Sequence, residues 1–201
     1  MKFLAQPPYK PDAAFKFEND FNIVGFKACG FLEKNKIKFS ATFDIFVNTD
    51  DWALIKLPFR NVYIEKLMLD GNTIPVKTKS SSQEDAKISF HQLAYNNTEV
   101  LTPKKKYIYE IPILGSGHHL IDLVFYVELE SLPGKKTLDF SFPKTLCSNL
   151  SLDLKSNDIY LEFENPKHGF YIDDSKDSTI TRISLSQKSD LRVSWFPKKY
   201  L

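Results

Sequence analysis

Ser116, His118, His119 and Asp122 fall within one short stretch of the chain. They supply the side-chain types of a hydrolytic triad, in which a hydroxyl attacks, an imidazole takes its proton and a carboxylate orients the imidazole. The surrounding sequence lacks the other parts of that machinery. There is no Gly-x-Ser-x-Gly elbow and no strand-to-helix turn to form an oxyanion hole, and Ser116 reads as part of a hairpin loop in Gly115-Ser116-Gly117. Metal chemistry at His118-His119 meets a different obstacle, because neighbours on a strand point to opposite faces. His91 and His168 add no repeated metal-site spacing. Hard cations favour grouped loop carboxylates, which directs attention to Asp50-Asp51 and to Asp173, Asp174 and Asp177. No EF-hand pattern accompanies them, and Asp is common in turns because it bonds its own backbone. The metal reading therefore rests on Asp173, Asp174 and Asp177 as weak candidates, and no cofactor is expected. No glycine-rich phosphate loop, dinucleotide fingerprint or paired-cysteine motif occurs.

Aromatic side chains offer another chemistry, since Tyr and Trp stack on the flat faces of sugar rings. Tyr126 and Tyr160 alternate onto polar strand faces, and Tyr171 joins them as a ligand-binding candidate. Trp52 and Trp195 suit core anchors and exposed platforms equally well.

Strands must position all of these residues. From Lys36 to Val47 apolar residues alternate with polar ones, placing Ile37, Phe39, Ala41, Phe43, Ile45 and Val47 on one face. The same period of two runs through Ile121, Leu123, Phe125, Val127 and Leu129, then Leu138, Phe140 and Phe142, then Leu150, Leu152 and Leu154. One-sided strands in succession predict antiparallel sheets sharing a core. Asp70-Gly71 predicts a tight hairpin between Tyr63–Leu69 and Thr73–Lys77, with Gly71 at positive φ. Pro133-Gly134 predicts a turn that folds the 119–129 strand onto 136–142. Helical signal is confined to Ser82–Lys87, which is short, polar and reads as a loop. The expected fold is all-β, an antiparallel sandwich of jelly-roll or immunoglobulin-like type, favoured over a closed barrel. Residues 1–11 read as an extended arm or linker and 12–201 as the sandwich, with a candidate division into two subdomains near 131–135.

Composition excludes several partners. The chain of 201 residues carries 27 basic and 25 acidic residues, so no broad positive field exists to attract nucleic acid. Its one compact basic run, Lys104-Lys105-Lys106, reads as a solvated strand flank. No apolar run reaches the ~18 residues of a membrane-spanning helix, so this segment does not insert, although a longer parent chain can carry an anchor. The start, Met1 to Pro8, lacks the apolar stretch of a signal peptide, which implies either a cytoplasmic protein or an excised segment of a longer one. Cys29 and Cys147 could form one bridge, a matter that sequence leaves open. Asn96-Asn97-Thr98 and Asn149-Leu150-Ser151 are glycosylation sequons that matter only in a glycosylating pathway.

Four stretches together carry a resemblance: Trp52-Ala53-Leu54-Ile55-Lys56-Leu57-Pro58, Leu69-Asp70-Gly71, Gly115 through Leu123, and Leu138–Pro143. Across residues 45–155 the chain resembles the extracytoplasmic β-sandwich segments of large uncharacterised bacterial membrane-anchored proteins. The resemblance implies a sandwich located in the periplasm or at the cell surface, and it transfers no functional residue. The functional expectation is a non-catalytic structural or protein-binding module of an envelope or surface protein. A carbohydrate-binding module is the alternative, and a hydrolase using the His118-His119-Asp122 turn is the second.

Overall fold

The structure, a computed structural model, describes residues 20–75, 78–80, 106–156, 158–164, 169–174, 178–185 and 190–198. The arm to Pro11, Ser82–Lys87, His91, His168, Asp177 and the Asn96 sequon lie outside them. Two sheets form a β-sandwich. The larger contains β1 (Phe21–Glu33), β2 (Lys36–Val47), β4 (Tyr63–Leu69), β5 (Asn72–Thr73), β8 (Gly117–Glu128), β11 (Cys147–Asp153), β13 (Gly169–Asp174) and β14 (Thr179–Leu185). The smaller contains β3 (Trp52–Arg60), β6 (Thr78–Ser80), β7 (Lys106–Leu114), β10 (Lys135–Ser141), β12 (Ile159–Phe163) and β15 (Asp190–Pro197), with β9 (Glu130–Leu132) paired to β10. Strand order is β13-β14-β11-β1-β2-β8-β4-β5 in the first sheet and β12-β15-β10-β3-β7-β6 in the second. Among the described residues no α-helix occurs.

Alternation in the sequence explains the layering. Ile37, Phe39, Ala41, Phe43, Ile45 and Val47 are all buried, as are Ile121 through Leu129 at every second position. Their rings meet those of the opposite sheet: Phe26 stacks on Phe142 at 4.6 Å between centroids, and Phe39 lies 5.3 Å from Phe140. Such aromatic contacts contribute about 0.5–1.5 kcal/mol each beyond burial of area. Gly30 is part of the same arrangement. The Phe39 ring covers it so closely that a β-carbon there would sit 2.5 Å from Phe39 Cε1.

The all-β sandwich of mostly antiparallel sheets is as expected, with one parallel pair to add and two turn readings to correct. The sheets are not wholly antiparallel, because β1 and β11 run parallel from Gly25 opposite Cys147 to Phe31 opposite Asp153. Period-two alternation assigns faces to a strand but carries no information about its neighbour's direction. Pro133-Gly134 joins β9 to β10, so the 119–129 strand does not fold onto 136–142; β8 pairs instead with β2 and β4 in the other sheet. Gly115-Ser116-Gly117 is likewise no hairpin, since it carries the chain from β7 in one sheet to β8 in the other. The Asp70-Gly71 turn does close a hairpin, with φ of 48° at Asp70 and 80° at Gly71.

The candidate division near 131–135 falls between two sets of strands, β1–β9 and β10–β15, yet both sheets continue across it and one core contains residues of both sets. In the smaller sheet the seam between β3 and β10 is a single pair, Arg60 opposite Ser141. An ionic clasp reinforces it: Arg60 Nη2 lies 2.9 Å from Asp139 Oδ1, and Asn61 Nδ2 donates to the Asp139 carbonyl at 3.1 Å. Asp139 is 5% exposed, and Arg192 Nε stands 3.9 Å from its Oδ2, so removal of Arg60 takes the nearer of two cations from a desolvated carboxylate.

Two stability changes are expected in denaturant unfolding. Arg60→Met lowers stability by about 1–3 kcal/mol, because the buried Asp139 carboxylate loses its nearer cation and keeps the more distant Arg192. Gly30→Ala lowers it by about 1–3 kcal/mol because the Phe39 ring must move within a filled core. Wild-type midpoints in either variant would show that the clasp or the close approach does not stabilise the fold.

Candidate functional site

One end of the sandwich, made by β2, β8 and the loops beside them, holds the side chains that the sequence suggested for catalysis, but in separate pairs. Ser116 Oγ donates to Asp50 Oδ1, and Thr42 Oγ1 donates to Asp122 Oδ1 at 2.6 Å. His118 Nδ1 lies 3.2 Å from Asp44 Oδ1, and the ring meets Phe46 edge-on. His119 turns inward, with Nδ1 2.8 Å from Asp70 Oδ2 and Nε2 3.3 Å from the Gly115 carbonyl. Both acceptors claim the imidazole, so neither nitrogen is directed at Ser116. The two histidines point to opposite faces, as adjacent strand residues must. Four carboxylates thus serve four different partners, and the arrangement ties the 115–119 connection to the loops beside it.

Asp70 is the centre of that tie. Its Oδ1 accepts from the Leu120 N–H at 2.8 Å, and its own N–H donates to the Leu120 carbonyl at 2.9 Å. Partial burial works to raise the Asp70 carboxyl, but the hydrogen bonds from His119 and Leu120 outweigh it and hold the group below its ordinary value of 3.8. Among the described residues no group of three His, Cys, Asp or Glu side chains could hold a metal ion. Asp173 is exposed on β13, Asp174 ends that strand, and Asp177 lies outside the described residues.

The candidate tyrosines stand apart. Tyr126 is on the outer face of the larger sheet, stacked on Tyr63 at 5.2 Å with the Lys36 ammonium 4.6 Å from its ring. Tyr160 belongs to β12 at the edge of the smaller sheet and packs on Phe196. Tyr171 belongs to β13 at the far edge of the larger sheet and is 60% exposed. Tyr126 and Tyr171 are separated by the strands β14, β11, β1 and β2, about 24 Å at normal strand spacing, so the three form no common platform.

Two surfaces went unnoticed in the sequence. The first lies on the outer face of β3 and β7, where Trp52 sits opposite Leu114 and Leu54 opposite Pro112. Trp52 is 64% exposed, Leu114 56% and Leu54 45%. Prolines settle which backbone groups point where. Pro58 and Pro112 have no N–H, so they occupy the non-hydrogen-bonded positions of the β3–β7 ladder, opposite Ile108 and Leu54. By alternation, Leu54 and Lys56 direct their N–H and C=O groups away from β7. On that side β3 pairs with β10 only at Arg60, so this edge is open among the described residues. The signal was present in Trp52-Ala53-Leu54-Ile55-Lys56-Leu57, but both of its faces are apolar at the start and alternation alone cannot say which is buried.

The second surface is a groove of about 590 Å³ on the outer face of the larger sheet. Ladder registers put its side chains in two rows across four strands: Lys27, Asn149, Ser184 and Gly169, then Cys29, Ser151, Arg182 and Tyr171. Cys29 and Cys147 are exposed free thiols, displaced by four residues along the parallel pair, about 13 Å and beyond disulfide reach.

No family model matches the chain, and no curated protein matches it by sequence. Solved structures share its fold. A Legionella pneumophila protein provisionally assigned to nutrient binding superposes with a TM-score of 0.57 at 10% identity, over 89% of this chain and 68% of that one. An M1 zinc metallopeptidase from Deinococcus radiodurans superposes over 90% of this chain and 43% of its own, at 7% identity and a TM-score of 0.45. Yeast LTA4 hydrolase superposes over 92% of this chain and 31% of its own, at 11% identity and a TM-score of 0.47. The two packed sheets define a protein of β-sandwich class, and the Legionella structure shares that fold. No helix among the described residues is long and apolar enough to cross a membrane.

Acid should loosen the 115–119 connection. Asp70 is depressed in the folded state, so its contribution to stability is present above its unfolded value and is lost as pH falls through the folded one. Asp70→Asn keeps a residue that tolerates positive φ. Wild type is expected to be the more stable protein at pH 6, with the difference closing below about pH 4. A difference that stays constant down to acid unfolding would contradict this role for Asp70.

Proposed function

We propose that this chain is a non-catalytic, protein-binding β-sandwich module that captures an extended segment of a partner protein along the open edge of β3. The observation that carries the reading is the coincidence of that edge with an exposed apolar face. Backbone groups of Leu54 and Lys56 face the edge, while Trp52, Leu54, Pro112 and Leu114 are exposed beside it. Strand addition draws affinity from main-chain hydrogen bonds and specificity from side-chain contacts on alternate positions. Trp is the residue type most often found to dominate an interface, and exposed apolar patches of this kind mark interaction surfaces. Arg60 and Asn61, clasped to Asp139, hold one end of the edge rigid. Pro58 limits the register by supplying no donor. Consistent with the resemblance to extracytoplasmic segments, we place the module in a bacterial envelope or surface protein, with an anchor, where one exists, supplied by a parent chain.

The test is crosslinking from a photoreactive residue at Lys56 in native membranes, followed by affinity measurement on the protein captured. Lys56→Pro removes one N–H from the open edge and none from the β3–β7 ladder. Trp52→Ala removes the largest exposed side chain. Each variant is expected to unfold like wild type and to bind the partner at least about tenfold more weakly, the loss of one hot-spot contact. Undiminished binding by both variants, or capture equally strong from a probe at Lys66 on the other sheet, would overturn the reading.

A further inference from the structure

The groove on the larger sheet has a chemistry of its own, unrelated to the β3 edge. Most of its exposed lining is apolar, and the short polar side chains Asn149, Ser151 and Ser184 are set into it on the central strands β11 and β14. Backbone groups there are committed to ladders on both sides, so whatever lies in the groove is recognised by side chains rather than by strand addition. Tyr171 forms one wall, with its ring exposed. Lys27 begins one row, and Arg182 stands third in the other, two strands across. Neither makes an ion pair with a carboxylate among the described residues, although Asp153 and Asp173 stand one row further along the strands bordering Arg182.

The requirements for a ligand follow from this layout. Hydroxyl and amide groups spaced along a floor match a ligand rich in hydroxyls. A flat aromatic wall matches one with an apolar ring face. Two cations that make no ion pair among the described residues match a ligand carrying carboxylates, and Arg182 presents a fork suited to them. Four strands span about 14 Å, which suits a short chain rather than a single small molecule. An extended acidic peptide would satisfy the cations but would bring backbone donors and acceptors to a floor with no free backbone to meet them.

We propose that this groove binds an acidic oligosaccharide, with a sugar ring stacked on Tyr171, carboxylates at Arg182 and Lys27, and hydroxyls on Asn149, Ser151 and Ser184. The site lies on the opposite sheet from the β3 edge, so it stands or falls independently of the protein-binding reading. Calorimetry with a trimer of galacturonic acid as probe tests it, alongside a trimer of galactose and a short oligoglutamate. Binding of the galacturonate trimer alone is expected, weakening as salt rises. Arg182→Gln and Lys27→Gln are each expected to weaken it about tenfold, and Tyr171→Ala by a similar factor. All three positions are surface-directed, and a circular dichroism spectrum and melting curve like wild type will confirm that the variants fold. Equal binding of the neutral trimer would remove the role of the cations and overturn the proposal. Preference for oligoglutamate would make the occupant a peptide, and no heat from the galacturonate trimer at millimolar concentration would reject the site; either result overturns the proposal.

Discussion

Seven residue pairs between β1 and β11, from Gly25 with Cys147 to Phe31 with Asp153, hold the larger sheet together across its middle. On one side of this ladder stand β2, β8, β4 and β5, and on the other β14 and β13. The smaller sheet has only the pair Arg60 with Ser141 at the corresponding seam. Parallel pairing demands a long return path, and here the path is most of the molecule: the chain builds β2 through β10 before β11 comes back to β1. Closing a contact so distant in sequence is entropically costly, and the gain that offsets it is the core common to both strand sets. Phe26 on β1 illustrates the gain, since its ring meets Phe43 from the first set and Phe142 from the second.

Both proposed surfaces are products of that seam. In the larger sheet the β1–β11 register alone decides that Lys27 stands beside Asn149, and so in one row with Ser184. A slip of one residue would turn Asn149 and Ser151 inward and Leu150 outward, so burial of Leu150 and Leu152 guards the groove. In the smaller sheet, pairing of β3 with β10 stops at Arg60, which leaves the edge at Leu54 and Lys56 without a partner strand among the described residues. Where the two halves of the smaller sheet join, the ion pair of Arg60 with the buried Asp139, flanked by Asp190 and Arg192, replaces most of a ladder. Such a pair adds little net stability over apolar packing but strongly penalises misalignment of the two strands.

Much of the layering was legible in the sequence, and the reason is physical. A strand with one wet face must alternate, and Ile37 to Val47, Ile121 to Leu129, and Leu150 to Leu154 do so and are buried where alternation places them. Asp70-Gly71 was legible because a tight hairpin needs positive φ at both residues. Partners were not legible, because alternation names a face and leaves the neighbour open; hence the misread turns at Gly115-Ser116-Gly117 and Pro133-Gly134. β1 escaped notice for a related reason: Phe21–Glu33 has apolar side chains on both faces and two glycines, of which Gly30 exists to accommodate Phe39. The candidate site was less legible still. Histidine, serine and carboxylate spacing suggested catalysis at residues that the fold distributes among separate pairs, whereas Lys27 and Arg182 become neighbours of one cavity only through pairing of β1, β11 and β14.

The parallel ladder is therefore the claim to measure first, by interstrand nuclear Overhauser effects in isotope-labelled protein. The expected pattern is a series that rises together along both strands, with Lys27 close to Asn149 and Cys29 close to Ser151. Contacts that run in opposite directions, or β1 amides that exchange freely on the side facing β11, would contradict the seam and, with it, the groove that the seam assembles.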